Sequence, residues 1–188
     1  MTDGIAALPD PSMRLDAAYR AVAPRMRDLS VFNPALEVEA IGFAPWEGAW
    51  LGVMLTPWCM NLALLPHEPA RWRPLATGAK RHYVFPAGEF EFVGACDDAI
   101  GEYQVCSLFS PVHEFTDHPT ARLVATLARE ALFDAANADP SGIDSAAPAP
   151  AAVAPGPLAR IESSLDAPMS KRDFLRARFA GGGDGHRG

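Results

Sequence analysis

Residues 33–66, NPALEVEAIGFAPWEGAWLGVMLTPWCMNLALLP, form the stretch that decides the fold of this 188-residue chain. Two apolar runs within it, 51–55 and 62–65, are apolar enough to be buried strands. Pro57 lies between them, cannot donate a ladder hydrogen bond, and would interrupt a continuous central strand. The pattern therefore predicts two separate strands that meet at a bend.

The bend, Thr56-Pro57-Trp58-Cys59-Met60-Asn61, has an unusual composition for a connection between strands. Tight turns favour Gly, Asn, Asp and Ser because of the backbone angles that these residues tolerate. Tryptophan often anchors protein contacts, and methionine adapts to irregular partners. We therefore expect a partner-binding surface made of Trp58, Cys59, Met60 and Asn61. The alternatives are that Trp58 fills the core and that Asn61 closes the turn.

Short strand-like runs continue on both sides of this bend. They cover residues 38–43, 49–55, 60–65, 82–85, 89–93 and 102–109. Residues 89–92, Glu-Phe-Glu-Phe, alternate strictly, which indicates one packed face and one wet face. The segments 45–48 and 86–88 are typical short connections between neighbouring strands, so the sheet is predicted to be antiparallel.

Helical periodicity flanks the strands. Apolar residues recur at three and four positions over residues 12–29, with Ser12 as the expected N-cap and Pro24 as a kink or an early end. A second helix is predicted over residues 119–135, with Asp117 as its cap. Its apolar face comprises Leu123, Val124, Leu127, Ala131 and Leu132. The order predicts an α+β fold, a single domain whose antiparallel sheet of five or six strands has one face covered by an N-terminal and a C-terminal helix.

Composition changes after Asn137 and divides the chain into three parts. Residues 1–137 are the predicted α+β domain. Residues 138–168 form an Ala/Pro-rich segment that cannot bury enough apolar surface to offset its chain entropy, so we expect a flexible linker. Residues 169–188 hold a basic motif and a glycine-rich end.

Charge is distributed unevenly along the chain. Residues 1–159 carry 10 basic and 19 acidic side chains, whereas residues 160–188 carry 6 and 4. No Lys or Arg occurs between residues 82 and 121, where acidic residues are frequent. A surface with this excess of negative charge attracts cationic peptides and repels nucleic acid. The alternative is that these acids only keep a solvent-exposed strand face soluble. We expect the partner surface to include Glu89, Glu91, Asp97, Asp98 and Glu102.

Several kinds of protein and site are disfavoured by the residue pattern. No apolar run approaches the roughly 18 residues of a transmembrane helix, and no export signal is visible, so we expect a cytoplasmic protein without stable membrane insertion. Cys59, Cys96 and Cys106 are too far apart for a metal knuckle or a disulfide framework. His113 and His118 are five residues apart, whereas helical ligand pairs are four apart. No phosphate loop, nucleophile elbow or assignable triad occurs, so we expect no catalysis and no cofactor.

Several short motifs carry a resemblance to a known family. They are Asn33-Pro34-Ala35-Leu36, Val38-Glu39-Ala40-Ile41-Gly42-Phe43, Leu51-Gly52-Val53, Thr56-Pro57-Trp58, Met60-Asn61-Leu62, Leu64-Leu65-Pro66 and Phe85-Pro86-Ala87-Gly88. With the basic C-terminal motif, the chain resembles the nickel-iron hydrogenase assembly chaperones of the HybE or HupJ type. The resemblance implies a helper in hydrogenase maturation whose partner is the small subunit precursor, and possibly the large subunit.

The C-terminal motif Ser170-Lys171-Arg172-Asp173-Phe174-Leu175-Arg176 is similar to the twin-arginine export consensus, Ser-Arg-Arg-x-Phe-Leu-Lys. It lies at the wrong end of the chain to direct export. In the family resembled, the small subunit carries a true twin-arginine signal and is held until cofactor insertion is complete. We hypothesise that this tail imitates the signal and competes for the acidic surface. The alternative is a short amphipathic helix that packs on the body.

A rival interpretation comes from another functional class. Cys59 would be the reactive thiol of a thiol enzyme or small-molecule binding protein, in a pocket lined by Trp46 and Trp58. A nucleophilic cysteine must be exposed and have thiolate character, so thiol labelling at neutral pH distinguishes the two interpretations.

Overall fold

A computed structural model describes residues 7–137 of the chain. The elements in chain order are α1 (Ser12–Met26), β1 (Glu39–Trp46), β2 (Ala49–Leu55), β3 (Met60–Pro66), β4 (Lys80–Phe85), β5 (Gly88–Asp97), β6 (Gly101–Phe109) and α2 (His118–Ala131). A short 3-10 turn, Ala135–Asn137, follows α2. The predicted linker and basic motif lie outside the described residues.

All six described strands form one antiparallel sheet, in the order β1-β2-β3-β6-β5-β4. Leu55 pairs with Met60, so residues 56–59 connect β2 to β3. The predicted bend and the predicted α+β fold with its antiparallel sheet are therefore confirmed.

The two helices cover opposite faces of this sheet, and the expectation that both lie on one face is wrong. Leu51 and Leu62 belong to the hydrophobic cluster of Ala125 in α2, whereas Met54 belongs to the cluster of Leu15 in α1. We call the α2 side the inner face and the α1 side the outer face. The continuous apolar runs in β2 and β3 reflect burial on both faces, as in strands that lie in the middle of a layered fold.

The sheet curls around its inner face. β1 and β4 are its two edges, yet Trp46 of β1 stacks on Phe85 of β4 with ring centroids 4.4 Å apart. Tyr83, also on β4, meets Trp46 edge-on at 5.8 Å. Strand twist accumulates in one direction across a sheet, so six strands suffice to bring the two edges close together.

The helix ends follow the predicted cap chemistry only in part. At α1, the N-cap position is Pro11 and not Ser12 as predicted, and the Ser12 amide donates to the Asp10 carboxylate at 2.8 Å. Pro24 lies inside α1, which ends at Met26. At α2, the Asp117 carboxylate accepts from the Thr120 amide at 2.8 Å, as predicted.

The packed face of α2 differs from the predicted apolar face. The helix lies on the sheet through three buried alanines, Ala121, Ala125 and Ala128, while Leu123 is 59% exposed. Leu132, just beyond the helix, is buried as expected. Alanine side chains let a helix approach the strands closely, and this close approach determines which face is buried.

Candidate functional site

The bend between β2 and β3 is organised by one buried hydroxyl group. Thr56 Oγ1 accepts hydrogen bonds from the amides of Cys59 at 2.9 Å and Trp58 at 3.3 Å, and donates to the Cys59 carbonyl at 2.9 Å. The Thr56 amide also donates to that carbonyl at 2.9 Å. Pro57 occupies a turn position that needs no amide proton. The turn is therefore rigid although it contains no glycine.

Three of the four bend residues expected to contact a partner are buried in the protein itself. Trp58 and Cys59 are 3% and 9% exposed, and Met60 is fully buried. Trp58 stacks between Tyr19 of α1 and Phe32, with ring centroids 6.4 Å away in each case. In the described conformation, a partner reaches none of these three side chains without moving α1 or opening the core.

Asn61 is the exception among the bend residues, because it is only half-buried on the outer face. Its side-chain amide donates to the Cys59 sulfur at 3.4 Å. The residue therefore helps to hold the turn, which is the local alternative expected from the sequence.

Cys59 does not have the surroundings of a reactive thiol. Burial raises its pKa to about 11, and hydrogen bonds with Thr56 and Asn61 only partly oppose this shift. Trp46 lies on the inner face and Trp58 on the outer face, so the two indoles do not line one pocket. The cavity beside Trp46 measures about 20 Å³, which is room for about one water molecule.

The predicted acidic residues separate into two groups. Glu89 and Glu91 lie on β5, whereas Asp97, Asp98 and Glu102 surround the turn from β5 to β6. Glu91 is largely neutralised, because its carboxylate lies 2.9 Å from the Lys80 ammonium. That lysine lies two positions before the span without basic residues. The pairing of β4 with β5 places it diagonally across from Glu91, whose direct partner in the register is His82.

The three acids at the β5–β6 turn, which we call the acidic turn, lie apart from the basic side chains of the described residues. Asp97, Asp98 and Glu102 form no ion pair with a basic side chain within residues 7–137. Asp97 accepts from the Ala99 amide at 2.8 Å, which shapes the turn, while Asp98 and Glu102 are exposed. The turn lies on the α1 side of the sheet, because Ile100 within it is buried in the same hydrophobic cluster as Leu15 of α1.

A second charged cluster joins β1 to α2 and was not anticipated from the sequence. Glu39 contacts His118 Nε2 at 2.9 Å and Arg122 Nε at 3.0 Å. The Glu37 amide donates to His118 Nδ1 at 3.2 Å, so the ring proton resides on Nε2. These residues are some 80 positions apart, and no local motif indicates their pairing.

Other candidate sites have simple outcomes. Within the described part of the chain, no three His, Cys, Asp or Glu side chains are arranged to hold a metal ion. None of the helices in residues 7–137 has the length and apolar character needed to cross a membrane. The tail motif, Ser170, Lys171, Arg172, Phe174, Leu175 and Arg176, lies outside the described residues.

Residues 10–177 match the sequence model of a family described as [NiFe]-hydrogenase assembly, chaperone, HybE. The chain is 36% identical over 163 residues to the hydrogenase expression/formation protein HupJ of Bradyrhizobium diazoefficiens. The aligned region covers 86% of this chain and 85% of that protein. It is 31% identical over 132 residues to the hydrogenase-2 operon protein HybE of Escherichia coli strain K12, covering 69% and 82% of the two chains.

The fold is similar to the solution structure of HybE from Escherichia coli. The TM-score is 0.57 with 23% sequence identity, over 81% of this chain and 98% of that chain. At this identity, the likeness supports the shared fold and nothing finer.

Proposed function

The chain belongs to the HybE family of nickel-iron hydrogenase assembly chaperones, and from this membership we propose that it holds an immature hydrogenase subunit until cofactor insertion is complete. The match to the family model over residues 10–177 carries this proposal. The preferred client is the small subunit precursor with its twin-arginine signal, and the large subunit is the second candidate. The encounter takes place in the cytoplasm and involves no catalysis by the chaperone.

The acidic turn supports a basic client segment. Asp97, Asp98 and Glu102 present three carboxylates without a basic partner in the described structure. A twin-arginine signal carries adjacent cations, and an uncompensated negative surface raises its local concentration and its association rate. We therefore place the acidic turn, rather than the neutralised Glu91, at the centre of the electrostatic contact.

The mechanism requires only a difference in affinity between two client states. The immature subunit presents a basic signal and incompletely buried apolar surface, and the mature subunit presents neither. A hundredfold difference in affinity corresponds to about 2.7 kcal/mol, which a few exposed side chains supply. Release then follows maturation without nucleotide hydrolysis.

The experiment measures binding of a labelled small-subunit signal peptide to the full chain at increasing salt concentration. The triple variant Asp97→Asn, Asp98→Asn, Glu102→Gln tests the acidic turn. The control variant Asp28→Asn, Glu37→Gln, Glu47→Gln removes the same charge from other surface positions. We expect the test variant to bind about tenfold more weakly at low salt and to lose most of its salt dependence, because Coulomb attraction at the turn is removed.

Equal weakening in both variants would contradict a specific role for the acidic turn. A pull-down from cells that are assembling hydrogenase, with the bound subunit identified by mass spectrometry, tests the choice of client. Recovery of the large subunit alone would overturn the small-subunit proposal.

The thiol-enzyme alternative is tested separately by labelling at neutral pH. Cys96 is exposed and Cys59 is buried with a raised pKa, so we expect Cys96 to react quickly and Cys59 to react only when the fold opens. Rapid modification of Cys59 in the folded protein would instead favour the thiol enzyme.

A further inference from the structure

The outward edge of β4 is an open sheet edge. Phe85 and Gly88 are paired across a two-residue turn, and at the other end of the hairpin the Gly94 amide donates to the Ala79 carbonyl at 2.8 Å. In an antiparallel pair, hydrogen-bonded and non-hydrogen-bonded positions alternate. The odd-numbered residues of β4 therefore hydrogen-bond to β5. The backbone groups of Lys80, His82 and Val84 therefore point away from the sheet. Within residues 7–137, no other segment forms backbone hydrogen bonds with these three positions.

The opposite edge of the sheet, on β1, is blocked. Asp16 of α1 accepts a hydrogen bond from the Ala40 amide at 2.7 Å, and Arg20 donates to the Val38 carbonyl at 3.2 Å. Further along, β1 carries an irregularity between Ile41 and Ala44, followed by Pro45. Proteins use such devices to prevent strand addition. β4 carries two charged residues, Lys80 and Arg81, at its start, but it has no bulge, no proline and, among the described elements, no covering helix, and its Val84 side chain is 75% exposed.

The chain leaves the described structure beside this open edge. The Ala87 amide, in the turn that ends β4, donates to the Leu132 carbonyl at 3.0 Å. Asn137, the last described residue, bonds to the Ala131 carbonyl at 3.1 Å. A random coil of roughly 30 residues, the length of the segment 138–168, has a root-mean-square end-to-end distance of about 30 Å, whereas a six-residue strand spans about 20 Å. Residues 169–179 are therefore within reach of all of β4.

The sequence of residues 174–179, Phe-Leu-Arg-Ala-Arg-Phe, fits this edge at the period of a strand. Successive strand residues point to opposite faces, which separates Leu175, Ala177 and Phe179 from Phe174, Arg176 and Arg178. The first set suits the inner face, where β4 presents its aromatic side chains. The second set suits the outer face, where Glu89 of the β4–β5 hairpin forms no ion pair among the described residues, whereas Glu91 is already paired with Lys80.

The contacts available on each face are specific. On the inner face, Phe85 meets the 41% exposed Phe133 with ring centroids 6.0 Å apart. On the outer face, Glu89 is exposed, pairs across the strands with Val84, and forms no ion pair among the described residues. A segment with one apolar face and one face that carries two arginines therefore has a partner on both sides of the edge.

We propose that residues 174–179 of the chain's own C-terminal segment add to the open edge of β4 as a further strand. The tether makes this encounter intramolecular at an effective concentration in the millimolar range, so a weak strand suffices. A basic client segment that extends from the acidic turn to the β4 edge has to displace the tail. This last consequence rests on the proposed function, whereas the docking itself does not.

The test is amide hydrogen exchange of the full chain, followed by NMR at His82 and Val84. We expect both amides to be protected in the unaltered chain. At a millimolar effective concentration, a weak strand is bound in about nine-tenths of the molecules, so exchange is slowed on the order of tenfold. The variant Leu175→Asp, Phe179→Asp should lose this protection. The control variant Ser163→Asp, Ser164→Asp adds the same charge to the linker and leaves the protection unchanged. The Tyr83 amide, which bonds to β5, stays protected in all chains.

A backbone variant tests the edge without altering the tail. Val84→Pro removes an outward amide and spares the ladder to β5, which edge strands tolerate, whereas Val84→Thr keeps the amide. We expect the proline variant alone to lose protection at His82. The proposal is overturned if His82 and Val84 exchange freely in the unaltered chain, or if the tail variant leaves their protection intact. It is also overturned if the protection depends on protein concentration, because that result would show that a second copy of the chain covers the edge. If added signal peptide leaves the protection unchanged, docking stands and only its competition with the client is contradicted.

Discussion

At the scale of single residues, the bend between β2 and β3 is part of the protein's own core and not the exposed contact surface expected from the sequence. Trp58 stands out in the sequence of this bend because ordinary turns favour small and polar residues, whereas Thr56 is a residue that commonly bonds to turn backbone. In the structure, both are internal: the Thr56 hydroxyl satisfies the turn amides, and the Trp58 indole fills the space between α1 and the sheet. The unusual composition thus reflects a turn that packs under a helix.

Replacing Thr56 tests this account of the turn. Thr56→Val keeps the shape of the side chain but leaves two buried amides, those of Trp58 and Cys59, without their acceptor. We expect the free energy of unfolding to fall by about 2–4 kcal/mol, measured by urea denaturation. Thr56→Ser retains the hydroxyl group and serves as the control, with a loss of about 1 kcal/mol for the missing methyl group. Equal losses in the two variants would show that the hydroxyl is unimportant.

At the scale of secondary-structure elements, α2 shows that amphipathic periodicity does not identify the buried face by itself. The predicted Leu-rich face and the observed Ala-rich face lie on the same helix. Leucine would bury more apolar surface than alanine, yet α2 packs on β1 and β2 through its alanines and leaves Leu123 largely exposed. Arg122 and His118 then anchor the helix to Glu39 at its N-terminal end.

Paired substitutions distinguish the two faces of α2. Ala125→Leu inserts three carbon atoms where no space exists, and we expect a loss of about 1–3 kcal/mol in the free energy of unfolding. Leu123→Ala removes a largely exposed side chain and should cost less than about 1 kcal/mol. The reverse order of these effects in thermal or urea unfolding would indicate that α2 packs through its leucines.

The cap of α2 gives a prediction for acid pH. Hydrogen bonds from Thr120 hold the pKa of the Asp117 carboxyl below its usual value. A carboxyl group whose pKa is lower in the folded state than in the unfolded state stabilises the fold. This stabilisation is fully present at a pH above the pKa of the unfolded state, about 3.9, and is lost as the pH falls through the pKa of the folded state. Relative to the variant Asp117→Asn, which caps without charge, the native chain should therefore lose stability only below about pH 4. Urea unfolding at pH 3 to 7 measures the difference, and a constant difference would contradict the assignment.

At the scale of the whole molecule, curling joins two sheet edges that are far apart in strand order. Trp46 and Phe85 lie on β1 and β4, at opposite ends of the order, and stack at 4.4 Å. The same curl leaves the outward backbone of β4 open while α1 blocks β1. The proposed docking of the tail thus depends on an asymmetry between the edges that no single element contains.

A double-mutant cycle measures the contact between the edges. Trp46→Leu and Phe85→Leu, alone and combined, should show a coupling of about 0.5–1.5 kcal/mol in the free energy of unfolding, as expected for stacked aromatic pairs. The control cycle pairs Trp46→Leu with Phe115→Leu, whose ring contacts Phe109 instead. That cycle should be additive within about 0.5 kcal/mol. Additivity in both cycles would argue against contact between the edges in solution.

The sequence by itself determined the strands, the bend at Pro57, the Asp117 cap, the fold class and the family resemblance. These features depend on residues close together in the chain, where periodicity and backbone restriction act directly. The tertiary structure alone decided the burial of Trp58, the neutralisation of Glu91 by Lys80, the opposite placement of the helices and the open edge of β4. Each of these depends on which distant segments meet, and side-chain alternation along one strand does not specify its neighbours or which face a helix will cover.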